Sequence, residues 1–188
     1  MKENIKKINR DKLAPKEIGQ IFVEILKCDL KLLNQKDLDG VMNLADQPKP
    51  KVSMAHIRND LFYLDVYIIY KALFSRFKSS FDEIEKSFKQ ELEKFIKNEL
   101  TGSEAQTLMN GVTESVAYYM QKHNDTIALM ETNDSSEKLV KFSHYISKKV
   151  FGDGAGDDIR YVMYMNSYYT SKMVGFVNII DNAIDLIS

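Results

Sequence analysis

Asp65 is the first residue whose position asks for chemistry. Helical spacing sets it beside Leu61, Phe62, Ile68, Ile69 and Ala72, on the apolar side of the most hydrophobic stretch in the chain. Burial disfavours the charged form of a carboxylate, so an acid there must pair with a cation or titrate high. A structural ion pair or a hydrogen-bonded buried carboxylate is the first expectation, because structural networks perturb acids without serving a reaction. Arg58, two turns earlier, and Arg160, on the apolar C-terminal helix, are the expected partners. A ligand-binding role for Asp65 is the sharper alternative.

His56 and Asp60 are four residues apart and share a helix face, which suits an imidazole oriented by a carboxylate or a pair of metal ligands. Two ligands do not hold a catalytic zinc, which needs about three. The chain has three histidines, His56, His123 and His144, and no HExxH motif. His123 falls within the apolar stripe of its own helix, where a core histidine is expected. Convergence of the three histidines with Asp60 or Asp65 would be needed for a metal, and neither metal nor cofactor is predicted. Asp65, His56, Asp60, Arg58 and Arg160 are therefore the candidate ligand-binding set.

Two loops invite ligands and then argue against them. The segment from Gln35 to Asp46 echoes a calcium loop through Asp37, Asp39, Gly40, Met42 and Asp46. Gln35 replaces the first acid, Asp46 replaces the bidentate Glu, and Pro48 and Pro50 obstruct an exit helix, so an ordinary capped turn is expected. The run Gly152-Asp153-Gly154-Ala155-Gly156-Asp157-Asp158 offers amides at a helix N-terminus, yet its acids would repel a phosphate. It reads as a helix stop, a hinge and a cap. Cys28 lies on an apolar helix face, where a thiol is inert, and no GxSxG elbow exists. Asp181 and Asp185 share a face near a helix C-terminus, where the macrodipole disfavours anions. Solvent exposure, a cation or a basic partner would relieve them. Tyr161, Tyr164, Tyr168 and Tyr169, with Tyr63, Tyr67, Tyr70, Tyr118 and Tyr119, form aromatic surfaces with polar tips, suited to an interface or to the boundary of a bundle.

The elements that position these residues are all helical. Eight Gly and three Pro in 188 residues leave little punctuation, and the apolar spacing between breaks follows the helical period. A first helix is predicted over 15–34 on the stripe Ile18, Ile21, Phe22, Ile25, Cys28 and Leu32, and a short turn over 37–46. Residues 47–51, with two prolines, read as a linker. Ser53 caps a helix over 54–78 that is apolar around most of its circumference and belongs at the centre of a bundle. The helix over 80–100 has a narrow stripe and the acid-first pairs Asp82/Lys86, Glu85/Lys89 and Glu93/Lys97, which place it outside. Ser103 with Gln106 has capping-box spacing and opens the next helix, which Asn124-Asp125 interrupts. Asp134 with Glu137 opens another that stops at Gly152, and Asp157 or Asp158 caps the last. The predicted fold is an all-α, single-domain bundle of six or seven helices over residues 15–188, preceded by a basic tail over 1–14.

Charge and composition bound the function. The chain carries 26 Lys+Arg against 27 Asp+Glu, a net charge of −1, which argues against nucleic-acid binding. Only the N-terminus is basic: Lys2, Lys6, Lys7, Arg10, Lys12 and Lys16 face Glu3 and Asp11, a local +4, while 153–188 has five acids against Arg160 and Lys172. One cysteine excludes an intrachain disulfide and suits a reducing compartment, so a cytoplasmic protein is expected. Asp65, Lys71, Ser75 and Arg76 interrupt the most apolar stretch, so no membrane span is predicted. With catalytic motifs lacking and two very apolar helices to cover, the sequence predicts a non-enzymatic helical interaction or regulatory protein that forms a homo-oligomer. A metal- or small-ligand-dependent enzyme or sensor with a site in the bundle core is the alternative.

Overall fold

The computed structural model describes residues 15–32, 49–78, 81–129 and 135–185, with side chains for 17–27, 49–78, 81–128 and 135–182. The basic tail, the Gln35–Asp46 turn, the Cys28 side chain, the Asp134 cap and the Asp185 side chain lie outside them. Six helices are described: α1 Pro15–Leu32, α2 Met54–Arg76, α3 Phe81–Glu99, α4 Gly102–Leu129, α5 Ser135–Phe151 and α6 Ile159–Asp185. No strand occurs among the described residues. The all-α reading is correct.

Helix α2 is the centre of the bundle and touches each of the other five. Its fourteen buried residues include the unbroken run Asp60 to Tyr70 and then Ala72 and Leu73. A helix apolar on every side can be satisfied only when neighbours surround it. Full burial of each Leu, Ile, Val or Phe contributes about 1.5–3 kcal/mol, so this helix supplies much of the core. Asp65 meets Tyr168 and Arg76 meets Asp181, so α2 and α6 run parallel. Helices α1 and α3 pack as a pair at Gly19, where a Cβ would fall 2.9 Å from the Phe88 backbone nitrogen. Helix α3 buries only Ile84, Phe88, Leu92 and Ile96, the expected narrow stripe, and pairs Glu85 with Lys89 and Glu93 with Lys97.

Several ends differ from expectation. Helix α4 opens on Thr101, whose hydroxyl donates to Glu104 and whose carbonyl accepts from the Glu104 and Ala105 amides. Thr101 is thus the residue from which the helix starts, two residues before the expected Ser103. Helix α4 also runs unbroken through Asn124-Asp125, since Asp125 pairs with Lys122 along the surface instead of breaking the backbone. Ser53 caps α2 as expected, accepting from the His56 amide, and Asp158 caps α6, accepting from the Arg160 amide.

Candidate functional site

The two buried acids of α2 lie five residues apart and face different neighbours. Asp60 is 3% exposed. Its Oδ2 lies 2.9 Å from His56 Nε2 and its Oδ1 3.4 Å from Lys149 Nζ, at the end of α5. His56 Nε2 also lies 3.1 Å from the Lys149 carbonyl oxygen. Both neighbours of that nitrogen accept hydrogen bonds, so Nε2 carries a proton. Burial pushes the Asp60 carboxyl above the usual range, and Lys149 and His56 pull it only part of the way back.

Asp65 is 1% exposed. Tyr168 donates its hydroxyl between the two carboxylate oxygens, 3.0 Å from each. Lys172, one turn further along α6, brings its ammonium to 3.8 Å from Oδ2 and lies 5.6 Å from the Tyr168 ring centre and 5.8 Å from that of Phe176. The cation beside Asp65 is therefore Lys172, which corrects the expectation of Arg58 or Arg160. Arg58 is exposed near the start of α2. Arg160 bends back onto Asp158 at 2.7–2.8 Å and holds that carboxyl down at about 2. Parallel packing explains the change, because it sets the first turn of α6 beside the first turn of α2 and leaves Asp65 opposite residues two to three turns later.

The interior also holds buried polar groups beside these acids' helix. The hydroxyls of Tyr119 and Ser147 are buried with no hydrogen-bond partner among the described residues, and that of Tyr67 faces Tyr169. The Tyr67 and Tyr119 rings are 5.5 Å apart. Burial, reinforced by Asp60 and Asp65, pushes the Tyr119 phenol well above its ordinary value, so it stays neutral. Tyr63, Tyr67, Tyr70, Tyr119, Tyr161 and Tyr169 are all buried. Most of the tyrosines expected at a surface are thus core residues, because their rings fill gaps between α2 and its neighbours. The only signal for this was the place of Tyr63, Tyr67 and Tyr70 within the most apolar helix.

The three histidines do not converge. His123 packs edge-on against Phe142 at 5.1 Å, and burial together with Lys71 lowers it to about 4, so its ring is neutral at pH 7. His144 reaches Asp157 at 2.7 Å. Among the described residues no group of three or more His, Cys, Asp or Glu side chains could hold a metal ion. The glycine loop stops α5 and turns the chain toward α6 as expected: Gly152 and Gly154 take φ of +77° and +88°, and Lys148 and His144 absorb its acids. Gly156 fits where a Cβ would meet the Gly152 carbonyl oxygen at 2.7 Å. Arg76 relieves Asp181 at 2.6 Å, one of the remedies expected for an acid near a helix C-terminus. Among the described residues no helix is long and apolar enough to cross a membrane. No known family model matches the chain, and no curated protein or solved structure is significantly similar to it.

Proposed function

We propose that this chain is a helical interaction protein, working in the cytoplasm, whose α6 joins two copies of itself. One observation carries the reading. Ile159, Met163 and Val174 are 63%, 48% and 54% exposed, and with Ser167, Thr170 and Asn178 they form one line along α6. Between Tyr161 and Ile180 the only charged residue is Lys172, whose ammonium is turned to Asp65. Exposed apolar residues scattered singly need no account, whereas an uncharged stripe along most of a 27-residue helix suits an interface.

The stripe also favours a second copy as its occupant. The positions 159, 163, 167, 170, 174 and 178 are symmetric about the point between Tyr168 and Tyr169. Two copies crossing antiparallel would set Met163 against Val174 of the partner subunit and Ser167 against Thr170 of the partner subunit. A two-fold interface is self-complementary in this sense, and no charge is desolvated. Light scattering after size exclusion tests the reading: the wild type should elute at twice the chain mass, and Met163→Glu with Val174→Glu at the single mass. A wild type of single mass at tens of micromolar would end the proposal. The alternative of an enzyme or sensor in the core draws only on the buried acids, and Tyr168, Lys172, His56 and Lys149 already satisfy these.

A further inference from the structure

A concavity of about 450 Å³ lies between α4 and α5, lined by Tyr118, Lys122, Tyr145, Lys148, Lys149 and Asp153. Three lysines from two helices line it. Lys122 Nζ sits 5.1 Å from the Tyr145 ring centre and 6.0 Å from that of Tyr118, and Lys149 Nζ sits 5.2 Å from the Tyr118 ring. The two rings thus lie beside two of the three cations, Lys122 and Lys149.

Each of these ammoniums already has a carboxylate neighbour, and Asp153 and Asp157 hold Lys148 in its charged form, so a ligand shares the cations with those acids. Lys122 meets Asp125 at 3.5 Å, Lys149 meets Asp60 at 3.4 Å, and Lys148 meets Asp153 and Asp157 at 3.3 Å. All exceed the 2.7–2.9 Å of a strong charge-assisted bond. Asp60, Asp125 and Asp157 stand outside the concavity. The one acid in its lining, Asp153, has a side chain 90% exposed, so its pairing is screened by water and easily displaced. The lining is therefore rich in donors, with three ammoniums and two phenol hydroxyls, and short of acceptors. Lys148 and Lys149 occupy the last turn of α5 and offset the negative end of that helix dipole.

We infer that this concavity binds a small phosphate monoester, with Lys122, Lys148 and Lys149 on the phosphate oxygens and Tyr118 and Tyr145 donating beside them. A monoester carries close to two negative charges at pH 7 and three acceptor oxygens, which matches the donors. The inference is independent of self-association, because the concavity involves α4 and α5 and not the outer face of α6.

Calorimetry with the full chain tests it, using phenyl phosphate and inorganic phosphate as probes at an ionic strength held constant with chloride. One equivalent of phenyl phosphate should bind, and Lys122→Gln and Lys148→Gln should each weaken binding about tenfold. Tyr145→Phe, which keeps the ring, should weaken it several-fold. Lys149 is left intact because it also supports Asp60, and thermal melts confirm that each variant folds. Equal affinity for both probes assigns recognition to the phosphate alone, and tighter phenyl phosphate assigns part of it to the organic body. No binding, or binding unchanged in the Lys122→Gln/Lys148→Gln double variant, overturns the inference. So does an oligonucleotide that binds where neither probe does.

Discussion

A carboxylate in a helix core commits its neighbours, and the partners of Asp65 set what its loss should cost. Asp65→Ala removes an acceptor that Lys172 and Tyr168 share, at a cost of about 2–3 kcal/mol in urea unfolding, below the 3–5 expected of a fully buried pair. The discount follows from Lys172, whose side chain is 23% exposed and can turn to water. Asp65→Asn keeps an acceptor for Tyr168 and should cost about 1 kcal/mol. His123 gives the pH dependence. It titrates near 6.5 when unfolded and at about 4 when folded, so between those values the unfolded chain binds a proton that the folded chain does not. Stability is full above pH 6.5 and falls as pH drops through the window, by about 1–2 kcal/mol at pH 4.5 after allowing for partial exposure. Asp60 has the opposite sign, since its raised folded pKa adds stability as pH falls through it. Comparing His123→Leu with wild type isolates the histidine: urea midpoints measured from pH 7 to 4.5 should fall less steeply in the variant. The sequence exposed Asp65 and the His56/Asp60 pair because both depend on spacing within one helix. It misplaced the cation because Tyr168 and Lys172 lie more than a hundred residues away, and only the parallel course of α2 and α6 brings them in.

At the scale of elements, close approach outweighs propensity. Alanine favours a helix over glycine by about 1 kcal/mol, yet Gly19→Ala should destabilise the fold by about 1–3 kcal/mol, because its Cβ would meet the backbone of α3 at Phe88. Thermal unfolding shows the sign directly: a raised melting temperature would mean that α1 and α3 do not pack at Gly19. The helices themselves were legible from apolar period and from Ser53, Gly152 and Asp158 as punctuation. The start of α4 was read two residues late, because Ser103 with Gln106 and Thr101 with Glu104 have the same spacing, and only the hydrogen bonds choose between them. The buried tyrosines were illegible for a different reason. A phenol is equally suited to a surface and to a core, and tertiary packing decides.

Across the whole molecule, the near balance of charge conceals an uncharged outer face on α6. Half of the large exposed hydrophobic residues among those described, Ile159, Met163, Val174 and Ile179, lie on that one helix. The sequence pointed to α6 as too apolar to remain uncovered, and in the structure Phe176 and Ile180 turn inward while Ile159, Met163 and Val174, and Ile179 off their line, stay exposed. Self-association should therefore be insensitive to salt, in contrast to an interface built on the basic N-terminus and the acidic C-terminal segment. Sedimentation velocity at 0.05 and 0.5 M NaCl should give the same dimer fraction. The most direct measurement is an isotope-filtered NOE experiment on an equal mixture of methyl-labelled and unlabelled chains. Contacts between the Met163 methyl of one copy and the Val174 methyls of the partner subunit are the predicted result. A dimer without them, or no intermolecular contact from α6 at all, would contradict the account.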